Sequence, residues 1–355
     1  MEPTDTIARD RLGRGLHELR ISVTDRCNFR CGYCMPQDSF RDDAHFLPHA
    51  EILSFEEIAR LARVFVSELG VHKLRLTGGE PLLRRQLPTL VRMLAVLPGL
   101  SDLALTTNGY LLAEHAQALR DAGLTRLTVS LDSLDAEGFA RMSGCTPAQG
   151  EQRLMRVLEG IDAAIAAGFA QLKLNAVVIA GQNEASILAL AERFRGTPHV
   201  VRFIEYMDVG TQNHWQVRDV VSAAEILRRI GARWPLEVVP PQHPGEVAQR
   251  YRYRDGRGEI GVIASVTQPF CGDCRRARLS ADGQLLTCLF AASGRDLKRP
   301  LRAGASDAVL AATLREAWAA RADRYSELRA EARTPQPPAA GRRGRRRLEM
   351  YQVGG

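Results

Sequence analysis

Cys27-Asn28-Phe29-Arg30-Cys31-Gly32-Tyr33-Cys34 sets three thiols at spacings of four and three residues, just after an apolar segment, Leu19 to Val23, that reads as a strand. Pairing two of them in a disulfide leaves one over. A structural zinc ion normally closes with four ligands, usually in Cys-x-x-Cys pairs, and no fourth donor lies nearby in the sequence. Thiolates so grouped suit a [4Fe-4S] cluster, which usually takes four cysteines. With three, one iron stays open to a chelating molecule that carries an amino and a carboxylate group.

Beyond this loop the chain alternates strands and helices. Ser54-x-x-Glu57 is a capping box, the apolar stripe Phe55, Ile58, Ala62, Phe65 and Leu69 predicts a helix, and Gly70 ends it. The segment from His72 to Thr77 runs into Gly78-Gly79-Glu80-Pro81, Leu103 to Thr107 into Asn108-Gly109, and Arg126 to Leu131 into Asp132-Ser133. Leu172 to Ile179 precedes another helix, and Val200 to Ile204 runs into Glu205-Tyr206-Met207. Six strand-then-helix units predict a parallel sheet wound right-handed, and strands read as continuously apolar predict cover on both faces. The polar loops all fall at carboxyl ends of strands, which in a parallel barrel converge on one rim.

The chain has 355 residues, of which 45% are hydrophobic, enough for about two domains. Neither a signal-peptide core nor a membrane-spanning run is evident, so a cytoplasmic protein is expected. The seven cysteines fall as three (27, 31, 34), one (145) and three (271, 274, 288), a metal-site grouping in a reducing compartment. Cys145 reads as an incidental thiol. The net charge is +7, but six arginines and no acid lie between Arg333 and Arg347, which makes the basic balance weak evidence for nucleic-acid binding by the folded body.

From Pro235 the pattern changes to a proline-rich loop, strand-like segments at Gln249–Tyr253 and Glu259–Val266, and a hairpin turning at Asp282-Gly283. A helix is expected over Val309–Leu328. The second thiol set, Cys271-x-x-Cys274 with Cys288, frames that hairpin, and two readings stay open: a zinc knuckle completed by a donor such as His243, or a second [4Fe-4S] cluster with an open iron. Between the thiols lies Arg275-Arg276-Ala277-Arg278, in which Arg276 and Arg278 share one face of a strand and suit phosphates.

The spacing Cys-x-x-x-Cys-x-x-Cys with Tyr33 before the last cysteine resembles the signature of the radical S-adenosylmethionine enzymes. With LRLTGGEPLLRR, TTNGYLL, VSLDSL, LKLNAVV, VRFIEYMDVG, FCGDCRRARLSADGQLLTCLF and a final Gly354-Gly355, the chain resembles in particular the GTP 3′,8-cyclases of molybdenum cofactor biosynthesis. The resemblance implies an α/β fold: a six-stranded partial barrel over residues 15–235, a smaller second-cluster domain over 236–331, and a flexible basic tail over 332–355.

It also implies a 5′-deoxyadenosyl radical that takes the ribose 3′ hydrogen of GTP, after which C3′ attacks guanine C8. Two [4Fe-4S] clusters would be held by Cys27, Cys31 and Cys34 and by Cys271, Cys274 and Cys288. Tyr33, Gly79, Ser130 and Met207 match contacts to S-adenosylmethionine. Arg20, Arg75, Thr106, Lys173, Arg276, Ala277 and Arg278 match contacts to GTP, with Lys73 and Arg202 as secondary candidates. Gly354 and Gly355 match a tail that assists catalysis. The partners implied are an electron donor and a downstream cyclic pyranopterin monophosphate synthase; a homodimer is a further arrangement, and no membrane or nucleic-acid partner is expected.

Overall fold

The computed structural model describes residues 8–35, 46–243, 245–331 and 348–354. Strands β1 (Glu18–Ser22), β2 (Lys73–Thr77), β3 (Asp102–Thr107), β4 (Arg126–Ser130), β5 (Leu172–Val178) and β6 (Val200–Glu205) pair in parallel and in chain order. Between them run α1 (Phe55–Leu69), α2 (Leu87–Ala95), α3 (Leu112–Asp121), α4 (Ala136–Ser143), α5 (Pro147–Ala166) and α6 (Ser186–Phe194). The expected capping box opens α1: the Glu57 amide donates to Ser54 Oγ and the Ser54 amide to Glu57 Oε2, and Gly70 closes the helix in the left-handed region. These contacts fix where the chain leaves the first thiol loop and returns to β2.

After α7 (Ala223–Arg233) come β7 (Leu236–Val239), β8 (Gln249–Tyr253), β9 (Glu259–Ile263), β10 (Arg276–Leu279), β11 (Gln284–Leu286) and β12 (Arg295–Asp296). All join the same sheet, which among the described residues has twelve strands in the order β12-β11-β10-β1-β2-β3-β4-β5-β6-β9-β8-β7. Because β9 lies parallel to β6 and β10 parallel to β1, eight adjacent strands are parallel. The expected count of six therefore covers only the units that carry a helix. β9 and β10 are joined by the loop holding Cys271 and Cys274, so they give no strand-then-helix signal.

The expectation of strands apolar on both faces is corrected. Their residues alternate: Leu19, Ile21, Leu74, Leu76, Leu127, Val129, Leu172 and Leu174 are buried in the shell beneath the helices. The intervening Glu18, Arg20, Lys73, Arg75, Lys173 and Asn175 face a central cavity. The period of two along a strand puts apolar packing outside and charge within.

The chain ends with α8 (Lys298–Arg302), α9 (Asp307–Ala319), α10 (Tyr325–Glu331) and α11 (Met350–Val353). The single helix expected over Val309–Leu328 is thus two. The break falls where Arg321 turns inward to Asp10, at 3.0 Å, and donates to the carbonyls of Cys274 and Thr287. Burial of a paired guanidinium overrides helix propensity in an alanine-rich segment.

Candidate active site

The five polar loops converge as expected. Residues from Cys27–Cys34, Gly78–Gly79, Thr106–Asn108, Ser130–Asp132 and Met207 line one cavity of about 690 Å3. Glu80, itself buried, ties two of these loops together: it accepts from the Leu82 amide, the Thr107 hydroxyl and the Asn108 amide at 3.0, 2.7 and 2.7 Å. Burial pushes its carboxyl up to about 7, opposed by those donors. Asn108 in turn donates to Asn28 Oδ1 at 2.7 Å and approaches Cys27 Sγ at 3.9 Å. At the other side of the loop, Tyr33 donates to Asp132 at 2.9 Å, and Asp132 also accepts from the Val177 amide.

Gly79 has a stated steric reason. A side chain there would place its β-carbon 2.3 Å from the Arg26 carbonyl oxygen, so only glycine lets the β2 loop lie against the segment leading into Cys27.

The second thiol set lies at the opposite end of the same cavity. Cys274 precedes β10, whose Arg276 is in register with Glu18 at the start of β1, whereas Cys27 follows the end of β1. A five-residue strand between them spans roughly 17 Å at about 3.3 Å per residue. Two buried arginines hold the loops of this set. Arg14 donates to the carbonyls of Cys271 and Asp323 at 2.7 and 2.9 Å, Arg321 to those of Cys274 and Thr287 at 2.8 and 3.0 Å, and both pair with buried Asp10. None of the three residues was marked by the sequence, because Arg14 and Arg321 act on main-chain atoms far away along the chain and Asp10 acts by pairing with both. Removing one partner of a buried ion pair costs about 3–5 kcal/mol. On the two-cluster reading proposed below, Arg321→Ala is therefore expected to lower the iron of the anaerobically reconstituted protein from about eight to about four per chain.

The two thiol sets differ electrostatically. Burial and the nearby Glu80 push Cys27 up to about 12, and burial with the nearby Asp132 and neighbouring thiols holds Cys31 well above the ordinary thiol value. Burial also opposes ionisation of Cys274, but Arg276 and Arg321 outweigh it and bring this thiol down to about 6. The Arg276 guanidinium stands 3.7 Å from Cys274 Sγ. Both donor sets fit an iron–sulfur cluster: the first needs bound iron to supply positive charge, and the second sits among fixed cations suited to an anionic assembly. Among the described residues no three Cys, His, Asp or Glu side chains converge as ligands of one metal ion.

The wall between the ends is cationic. Arg20 and Arg75 share Glu18 at 3.1 and 3.4 Å, Lys73 meets Asp102 at 3.5 Å, and Arg126 also pairs with Asp102. Arg75 donates to Thr106 and Thr128 at 3.2 Å, and Arg202 to Asn175 at 2.9 Å. Burial, then Arg276, lowers Arg278 to about 10, and its Nε has no hydrogen-bond partner. Lys173 is lowered to about 7 by burial and then by Arg202, Arg126, Arg75 and Lys73. So many buried cations would be costly without an anion to receive them.

Every sequence-designated side chain named for a cluster, S-adenosylmethionine or GTP lines this cavity except Ala277. Ala277 is fully buried in the outer apolar shell, because it lies one residue out of phase with Arg276 and Arg278. Cys145 lies outside the cavity lining, with its sulfur 3.3 Å from Ser143 Oγ. Missed by sequence reasoning were Glu18, Asp102, Arg126 and Asn175; their period-two placement beside designated residues was the available signal.

Gly354 rests against Thr77 at the first-set end of β2, and Gly355 lies outside the described residues, as do residues 332–347 of the expected basic tail. The segment before Gly354 is anchored: Glu349 accepts from the Thr211 amide and hydroxyl at 3.0 and 3.1 Å, and Tyr351 is buried with Met35 and Phe46.

A curled parallel α/β sheet with a three-thiol loop after its first strand defines a radical S-adenosylmethionine protein, and residues 21–194 match the family model described as Radical SAM superfamily. Residues 199–327 match the model described as Molybdenum Cofactor Synthesis C. The chain is 53% identical to a GTP 3′,8-cyclase of Acidothermus cellulolyticus, the match covering 98% of this chain and 99% of the relative. It is 53% identical to one of Xanthomonas axonopodis pv. citri and 45% identical to one of Staphylococcus carnosus, each over 98% of both chains. The chain belongs to the GTP 3′,8-cyclase family. No helix among the described residues is long and apolar enough to cross a membrane.

Proposed function

We infer that the chain is a radical S-adenosylmethionine lyase that converts GTP to (8S)-3′,8-cyclo-7,8-dihydroguanosine 5′-triphosphate, the first step of molybdenum cofactor biosynthesis. The observation that carries this reading is one cavity with a three-thiol set at each end and a cationic wall between. When bound, a reduced [4Fe-4S] cluster at Cys27, Cys31 and Cys34 supplies the electron that splits S-adenosylmethionine into methionine and a 5′-deoxyadenosyl radical.

The other roles belong to the chain's own residues. Tyr33, Gly79, Ser130 and Met207 hold S-adenosylmethionine at the rim. Arg20, Lys73, Arg75, Thr106, Lys173, Arg202, Arg276 and Arg278 hold GTP, whose roughly four negative charges the fixed guanidinium groups match. Cys271, Cys274 and Cys288 would hold a second [4Fe-4S] cluster, whose open iron would supply a site for a nitrogen or oxygen of the purine. Gly354, seated on Thr77, and the Gly355 that follows it in sequence are the tail residues that assist catalysis on this reading. The division near Pro235, a cytoplasmic location, an external electron donor and a downstream cyclic pyranopterin monophosphate synthase accompany this reading.

Anaerobic reconstitution tests it. About eight irons per chain, with 5′-deoxyadenosine and a cyclised guanosine triphosphate formed only when GTP is present, is the expected result. Zinc in place of iron, or deoxyadenosine formed equally without GTP and no guanine product, overturns it.

Binding should also depend on pH. Lys173 titrates at about 7 in the ligand-free cavity, and a polyphosphate beside it favours the charged form and raises that value. GTP affinity is therefore full below pH 7 and falls as pH rises from there toward the raised value, with proton uptake on binding. Calorimetry between about pH 7.5 and 9, where the nucleotide itself is fully ionised, should show this slope in the wild type and its loss in Lys173→Met.

A further inference from the structure

A second cavity, of about 240 Å3, lies at the amino ends of β4 and β5, on the face of the sheet remote from the first thiol loop. Arg75, Arg126, Gln171 and Lys173 line it and also line the main cavity, so the two volumes adjoin. Its outer wall is formed by Thr125, Gly168 and Ala170, all exposed, and by Arg120. The Arg120 guanidinium is fixed: it stacks over Phe169 at 5.5 Å and donates to the Leu124 carbonyl at 3.3 Å. Among the described residues no acid lines this cavity. Its nearest carboxylate on the main-cavity side, Asp102, is already engaged by Arg126 and Lys73.

We propose that this basal cavity is a polyphosphate port, which receives anionic groups carried beyond the third phosphate of a guanine nucleotide. The inference rests on the GTP reading above. A phosphate held between Arg75 and Lys173 adjoins the basal cavity, whose further cations are Arg126, already paired with Asp102, and Arg120 on the outer wall. Extension by one phosphate thus meets positive charge and open solvent rather than a closed wall. The port sets specificity at the far end of the nucleotide: it admits chains longer than a triphosphate, while the purine end stays fixed by the main cavity.

The test compares GTP with guanosine 5′-tetraphosphate on the reconstituted holoenzyme, by calorimetry under nitrogen. Tetraphosphate is expected to bind within about threefold of GTP. Arg120→Ala should weaken tetraphosphate about threefold to fivefold with little change for GTP, the range for a solvent-facing charge. Ala170→Glu, at an exposed position on the cavity's outer wall, should weaken tetraphosphate about tenfold more than GTP, and more so at low salt. It keeps the test decisive if the Arg120 variant is unstable. Tetraphosphate binding more than about tenfold weaker than GTP to the wild type, or equal shifts for both nucleotides in Ala170→Glu, overturns the port and leaves the GTP reading standing. Absence of GTP binding overturns both.

Discussion

Arg276→Ala combined with Arg278→Ala is expected to weaken GTP binding at least about a hundredfold while the first thiol set still supports slow cleavage of S-adenosylmethionine. The two guanidinium groups share one face of β10, both line the cavity, and Arg278 keeps an unpartnered Nε in a buried position. Charge-assisted hydrogen bonds contribute about 1.5–3 kcal/mol each, so losing two weakens GTP by roughly a hundredfold to ten-thousandfold. Arg276 also faces Cys274, and iron content must be measured on the same sample to separate loss of nucleotide contacts from loss of the second cluster. Arg278 acts on Cys274 and Cys288 through charge alone, without the sulfur hydrogen bond that Arg276 makes, so Arg278→Ala should lower GTP affinity with a smaller loss of iron than Arg276→Ala. GTP binding unchanged in the double variant removes these residues from the nucleotide site.

Gly354→Ala is the second substitution with a large effect. Gly354 sits at φ +70°, and an added β-carbon would come within 2.1 Å of Thr77 Cγ2, at the end of β2 beside Gly78 and Gly79. The tail must unseat or Thr77 must move. Backbone and steric strain of about 1–3 kcal/mol corresponds to a loss of roughly tenfold to a hundredfold in turnover. Thr77→Ser removes the obstructing methyl and leaves the hydroxyl, and combining it with Gly354→Ala should recover part of the loss. Turnover of the single variant equal to wild type would show that the seat of Gly354 on Thr77 has no part in catalysis. Because Glu349 and Tyr351 anchor the same segment through other contacts, unfolding temperature should stay nearly constant.

The site was legible where chemistry demanded unusual residues at fixed spacing. Three thiols in eight residues, a double glycine after a strand, and arginines two apart beside a second thiol set each have few alternative uses, and all line the cavity. The strand-then-helix alternation likewise revealed the order of β1 to β6. The reading failed where one residue class served two purposes. Short strands such as KLRLT look apolar as a whole, but their alternation separates an outer packing face from an inner charged one. Ala277 was carried along with its arginine neighbours although its phase turns it outward.

The sequence by itself determined the two thiol sets and the parallel winding, because these follow from local spacing and from the alternation of strand and helix. Only the tertiary structure decided that β9 and β10 extend the parallel sheet at its two edges, which sends the second thiol set to the far end of the cavity. It alone also brought Asp10, Arg14 and Arg321 together beneath that set and seated Gly354 on Thr77. Those contacts join residues hundreds of positions apart, and strand pairing and buried charge, rather than any local pattern, select such partners.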